Sequence, residues 1–200
     1  MKVQWLIFDV GKVVALGDEN LCYKVLIGYG ALPENIKKIF SCNEYYDFLR
    51  GKISAHEFYN TLTNQYLRLP LSYDQVSNAF KRALYAIDEG VVGIISRLDR
   101  KNLAFLTDTN VWQEEKLLKL INLKQFSDKI FKSHEIHMVK TDENCFPYVI
   151  SRLGVNPDDA LLIDDSSEKI RMAARHGLQT LQFTDSEQLS HHLKKTGWLT

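Results

Sequence analysis

Cysteine is scarce in this 200-residue chain: Cys22, Cys42 and Cys145 lie far apart, with no CxxC pair. Such an odd, scattered set argues against a disulfide framework and a zinc ribbon, and it suits a reducing cytoplasm. An excess of one charge is also missing, because 25 Lys and Arg balance 25 Asp and Glu. A globally basic nucleic-acid binder is therefore not expected. No apolar run approaches the ~18 residues that a membrane-spanning helix needs. The stretch from Met1 to Asp9 has no long apolar segment and no small-residue cleavage site, so no signal peptide is expected. Repeats and low-complexity tracts are absent too.

What is present describes a globular chain. Hydrophobic residues make up 45% and aromatic residues 11%, enough to bury a core and too many for a disordered chain. The length suits one domain, or one domain carrying an insertion.

Five short apolar runs stand out, at 5–10, 103–107, 129–132, 160–163 and 178–183. The first, second and fourth are continuous rather than alternating, as strands buried on both faces of a parallel sheet are. Helical patterns at 91–98, 113–123, 143–153 and 168–176 separate or follow the later runs, the last ending at Gly177. This alternation predicts a doubly wound α/β sheet. Between 15 and 89 no buried strand is evident. The spacing there predicts amphipathic helices over 20–28, 33–40, 45–50, 55–66 and 72–86, with Ser54 and Ser72 as caps. The expected organisation is a core of residues 1–14 and 90–200, with a helical cap at 15–89.

Open α/β sheets bind ligands beyond the carboxyl ends of their strands. There the sequence places Asp9-Val10-Gly11-Lys12, Thr107-Asp108-Thr109-Asn110 and Asp164-Asp165-Ser166-Ser167, with Lys140 in the loop after the third run. Clustered carboxylates repel one another, and a hard divalent cation with oxygen ligands relieves that repulsion. A lysine and a threonine hydroxyl beside them suit a phosphoryl group, which a carboxylate can attack. Each residue alone has a plainer reading. Asp9 could simply end a strand, Asp164 or Asp165 could cap a helix, Thr107 could be a strand residue, and Lys140 could be a solvated charge. Their order and spacing favour the site.

Those motifs resemble the haloacid dehalogenase superfamily, in its branch with a helical cap inserted after the first strand. Phe8-Asp9-Val10-Gly11 is similar to its first motif, Leu106-Thr107-Asp108 to its second, Lys140 to its third, and Leu161-Leu162-Ile163-Asp164-Asp165 to its fourth. Within it, Arg50-Gly51-Lys52-Ile53-Ser54 and Leu69-Pro70-Leu71-Ser72-Tyr73 look most like bacterial phosphatases acting on α-D-glucose 1-phosphate. The resemblance implies an Mg²⁺-dependent phosphatase for a small phosphorylated metabolite, with no nucleic-acid or membrane partner. It makes Asp9 the nucleophile and a metal ligand, and gives the metal the Gly11 carbonyl and Asp165, with Asp164 in support. Thr107 and the Asp108 N–H would bind phosphoryl oxygens, and Lys140 would neutralise their charge. Two alternatives are a catalytically weak binding protein and a metal-free 2-haloacid dehalogenase.

Four positions depart from the family pattern. Gly11 stands where a second Asp usually serves as acid and base, which favours a leaving oxygen of low basicity, such as the anomeric oxygen of a sugar 1-phosphate. Lys12 and Thr141 replace commoner residues. Lys169, four residues after Asp165, either points to solvent, as lysines mostly do, or reaches the carboxylates and competes with Mg²⁺. The solvent reading is favoured.

Other groups are expected to be structural. His134-Glu135-Ile136-His137 is read as a solvated loop, because it is not HExxH. His191 and His192 are placed on an exposed last helix. Tyr45, Tyr46, Phe48, Trp112 and Trp198 are assigned to packing, and Arg50 to the surface.

Overall fold

The computed structural model describes residues 3–199. Five strands form one parallel sheet: β1 (Trp5–Phe8), β4 (Leu103–Thr107), β5 (Lys129–Lys132), β6 (Ala160–Asp164) and β7 (Gln179–Gln182), in the order β5-β4-β1-β6-β7. All five expected strands are thus present. Strand β1 lies in the middle, with Leu6 beside Leu103 on one side and Leu161 on the other. The continuous apolar runs are explained by burial on both faces. Leu6, Phe8, Phe105 and Ile163 enter one core layer, whereas Ile7, Ala104, Leu106 and Leu162 enter the opposite one.

Helices cover both faces. Helix α6 (Glu89–Ile95) and α11 (Ser186–Lys195) pack Val91, Ile94, Leu189 and Leu193 on the first layer. Helix α9 (Cys145–Leu153) and α10 (Ser167–Arg175) bring Phe146, Val149 and Ala173 to the second. Gly177, at φ +84°, ends α10 in the left-handed region that glycine tolerates best. Helix α7 (Val111–Leu120) follows β4, and the short α8 (Ser133–Ile136) follows β5.

Residues 19–81 build a separate hydrophobic cluster from α1 (Glu19–Gly28), α2 (Pro33–Ile39), α3 (Asn43–Leu49), α4 (Ala55–Thr61) and α5 (Tyr73–Lys81). Ser54 with Glu57, and Ser72 with Gln75, form reciprocal capping boxes at the starts of α4 and α5. Three features here differ from the pattern expected of the sequence. Leu62–Leu67 is a π-helical turn rather than more α-helix. Helix α5 stops at Lys81 instead of reaching residue 86. The chain then forms β3 (Leu84–Ile87), antiparallel to β2 (Ala15–Gly17), where no strand was expected. This two-stranded ribbon carries the chain out of β1 and back to α6.

Trp112 links the two parts. It belongs to α7, yet it is buried in the helical cluster, 4.8 Å from the Phe48 ring and 5.3 Å from the Phe80 ring. Its Nε1–H donates to the Tyr73 hydroxyl at 2.7 Å.

Candidate active site

The sheet order places the ends of β4, β1 and β6 side by side, so their last residues meet at one rim. Asp9 follows β1 and is buried. Its Oδ1 accepts from the Val10 N–H at 2.6 Å, and its Oδ2 lies 2.7 Å from Lys140 Nζ. Lys140 is itself wholly buried, and its ammonium also donates to Asp164 Oδ2 at 2.6 Å. The other Asp164 oxygen accepts from the Ser166 N–H at 2.9 Å. A buried ammonium is tolerable only with such partners. Lys140 is therefore no solvated charge, and Asp164 is no ordinary helix cap.

Asp108 braces the opposite wall. Its Oδ1 accepts from the Lys140 backbone N–H at 2.9 Å, which fixes the loop carrying that lysine. Its Oδ2 lies 3.2 Å from Lys169 Nζ, and this ammonium is 3.9 Å from Asp9 Oδ2. The favoured placement of Lys169 in solvent is thereby corrected. Helix α10 starts at Ser167, so Lys169 sits in its first turn, where side chains lean back toward the helix N-terminus and the strand ends.

The titration behaviour follows from this packing. Burial opposes ionisation of Asp9, but the charges of Lys140 and Lys169 outweigh it and hold its carboxyl below the usual range. Asp164 goes the other way. Burial, then the neighbouring Asp9 charge, push it up to about 6. Asp165 is raised for the same two reasons. Burial disfavours the Lys169 ammonium, but Asp9, Asp108 and Asp164 raise its pKa overall.

The donor set suits a hard divalent cation. One carboxylate oxygen from each of Asp9, Asp164 and Asp165 falls within 4.8 Å of the others. Counting Asp108, four carboxylates face the ammonium groups of Lys140 and Lys169 and leave a formal −2, which a divalent ion would balance. Gly11 follows directly on the Asp9 loop, and a Cβ there would meet nothing within 4 Å. The missing side chain at this position is thus not enforced by crowding.

A cavity of about 740 Å³ opens from this rim toward the helices, with Asp9, Thr107, Asp108, Asp165 and Lys169 at its base. Tyr45, Tyr46 and Arg50 line it as well. Tyr45 also packs against Phe40, Phe58 and Phe80, and Phe48 is buried, both as expected. Arg50 is only 20% exposed, which corrects its assignment to the surface. Arg50 grips Asp142 through Nε at 2.8 Å and a terminal nitrogen at 2.5 Å. Thr109, just beyond the end of β4, lines the cavity too, whereas Asp142, Asn43 and Gln113 line it without being expected there. None of the latter belongs to a motif, and only the packing of the helices over the sheet brings them there. Lys12 holds φ +61° and reaches toward Glu19 at 3.8 Å.

The His134–His137 stretch is not a solvated loop. Its first three residues belong to α8 and His137 caps that helix, with His134 Nε2 2.9 Å from Glu114. Glu114, His134 and Glu135 come close together, but the Lys132 ammonium already bonds to both glutamates. Trp198 packs against the core as expected, and His191 is exposed on α11.

Comparison with known proteins identifies the lineage. The haloacid dehalogenase-like hydrolase family matches residues 34–183. This chain belongs to that family. A D-ribitol-5-phosphate phosphatase of Bacteroides thetaiotaomicron is 23% identical over 88% of this chain and 90% of its own length. The name of this relative points to a polyol phosphate rather than to glucose 1-phosphate. The structure of a HAD family enzyme from the same organism, in complex with magnesium and inorganic phosphate, superposes with a TM-score of 0.84. It is 22% identical, covering 95% of this chain and 98% of that one. A HAD-like hydrolase from Porphyromonas gingivalis gives 0.85 at 24% identity, covering 98% of each chain. At these identities the superpositions establish a shared fold. Among the described residues, no helix is long and apolar enough to cross a membrane.

Proposed function

We propose that the chain is an Mg²⁺-dependent phosphatase for a small phosphorylated metabolite, acting through a phosphoryl group carried on Asp9. The observation that carries this reading is the Asp9 carboxylate, buried yet held ionised by Lys140 at 2.7 Å. The phosphatase name of the Bacteroides relative, and the magnesium and phosphate bound in the structural neighbour, support it.

An Asp9 oxygen forms the bond to phosphorus, and the bond to the ester oxygen breaks. The leaving oxygen takes its proton from solvent, since Gly11 offers none. Water then attacks phosphorus, returning the Asp9 carboxylate and inorganic phosphate. Thr107 and the Asp108 N–H hold phosphoryl oxygens, while Lys140 offsets negative charge on Asp9 and the phosphoryl group. Asp9, Asp165 and the Gly11 carbonyl would hold Mg²⁺, with Asp164 in support. Bound there, the cation would supply positive charge against the negative charge that builds on the phosphoryl oxygens during transfer. Residues 15–89 act as a cap that closes over the substrate, excludes water and sets specificity.

The cavity supports a substrate class. Its polar lining, including Tyr45, Tyr46, Arg50 and Gln113, suits the hydroxyls of a sugar or polyol phosphate. A sugar 1-phosphate is favoured by the absence of an acid at Gly11, and a linear polyol phosphate by the named relative. Phosphate release from a monoester panel containing both classes, with and without Mg²⁺, separates them. Turnover that needs Mg²⁺ and vanishes in Asp9→Asn is expected. Equal release by the Asp9→Asn variant would refute the assignment.

A further inference from the structure

Lys169 is a cation placed where cations are disfavoured. It stands in the first turn of α10, at the positive end of the helix dipole. Its side chain is only 23% exposed. What holds it there is the carboxylate group at the strand ends, with Asp108 Oδ2 at 3.2 Å and Asp9 Oδ2 at 3.9 Å. Lys140 approaches the same Asp9 oxygen at 2.7 Å. Two ammonium groups therefore share one carboxylate oxygen, although a single buried lysine would satisfy it.

The two lysines differ in how firmly they are held. Lys140 is wholly buried between Asp9 and Asp164, and its own backbone is tied to Asp108. Lys169 enters from the cavity side, where Asp165, Ser166 and Glu168 also line the opening. A divalent ion ligated by Asp9 and Asp165 would come within a few ångströms of the Lys169 ammonium. Like charges at that distance repel strongly, even in a partly solvated cleft.

The geometry points to Lys169 as an internal competitor of the divalent cation, a positioning residue that weakens the site's affinity for Mg²⁺. Ion binding then requires the lysine either to swing toward the cavity or to stay and repel the ion. Either route makes the chain demand more free Mg²⁺ than its carboxylates alone would. The inference rests on the reading of Asp9 and Asp165 as cation ligands. It does not depend on turnover.

The test is calorimetric titration of the full chain, freed of metal with a chelator, using Mg²⁺ alone. Lys169→Met removes the charge without adding a ligand, Lys169→Gln does so with a polar side chain, and Lys169→Arg keeps the charge. The neutral variants should bind Mg²⁺ at least about tenfold tighter than the unaltered chain, with the Arg variant near the unaltered value. Circular dichroism identifies the folded variants, and either neutral variant suffices if the other fails to fold. Neutral variants that are folded and bind Mg²⁺ no tighter than the unaltered chain would overturn the inference. The phosphatase reading is judged separately, by the monoester panel with Asp9→Asn. Tightened metal binding without turnover would uphold this inference and discard that reading.

Discussion

Arg50 and Asp142 form a two-pronged ion pair that ties the end of α3 to the loop two residues beyond Lys140. Asp142 Oδ2 also accepts from the Val139 N–H at 2.9 Å, so the carboxylate orders the Lys140 loop while it holds the helical segment. The Arg50 carbonyl lies 2.9 Å from His137 Nδ1, which adds a contact to the end of α8.

Breaking this pair should loosen the hold of residues 19–81 on the sheet. The two side chains are 20% and 27% exposed, so solvent screens them only in part. Arg50→Ala and Asp142→Ala should each cost roughly 1–2 kcal/mol in urea unfolding, with a double-mutant coupling of about 1 kcal/mol. Arg50 holds the Asp142 carboxyl below the usual range. Its folded pKa is thus lower than its unfolded one. The coupling is fully present above the ordinary carboxylate range and fades as pH falls through the folded value. A coupling that is absent at neutral pH would contradict the latch.

Gly51, next along the chain, holds φ +62°, and a Cβ there would approach the His134 carbonyl oxygen to 2.3 Å. Gly51→Ala should therefore cost more than the ~1 kcal/mol of left-handed backbone strain alone. Urea unfolding measures it. A loss below about 0.5 kcal/mol, the size of an ordinary surface substitution, would show that the backbones can part freely.

Trp112 should be the most expensive single truncation at the junction. Trp112→Ala opens a cavity among Phe48, Phe58 and Phe80, for a loss of about 3–5 kcal/mol in unfolding experiments. Tyr73→Phe keeps the packing but strands the Trp112 Nε1–H, for about 1–3 kcal/mol. Equal, small losses in both variants would place the junction elsewhere.

Gly11→Asp tests the missing acid. A side chain there meets nothing within 4 Å at its first carbon, so the variant should fold. General acid help is worth typically ~10²–10⁴-fold, and it matters most for basic leaving oxygens. The variant should gain at least about tenfold in kcat on alkyl phosphates relative to sugar 1-phosphates. Unchanged relative rates would mean that protonation of the leaving group does not limit turnover.

Much of the site was legible because parallel-sheet topology converts strand ends into one rim. Asp9, Thr107, Lys140 and Asp164 could be brought together from sequence order alone, and the structure brings them together. Lys169 was misjudged because the exposure habit of lysine is a surface average, whereas four carboxylates at a helix start are a local field. Strands β2 and β3 escaped notice for a different reason. Each is three or four residues long and only partly buried, and the pairing joins residues about seventy apart in the chain, so no local pattern marks it. Arg50 with Asp142 is likewise a contact across 92 positions. The helical pattern running on from Ser72 hid the end of α5, where pairing with β2 overrides local propensity.

The most direct test of the account is to quench the enzyme early in turnover of a substrate found by the monoester panel and examine the peptide carrying Asp9 by mass spectrometry. The account predicts the mass of one phosphoryl group on Asp9, present only with substrate and Mg²⁺ and absent in the Asp9→Asn variant. Phosphate release at full rate with Asp9 never modified would contradict it.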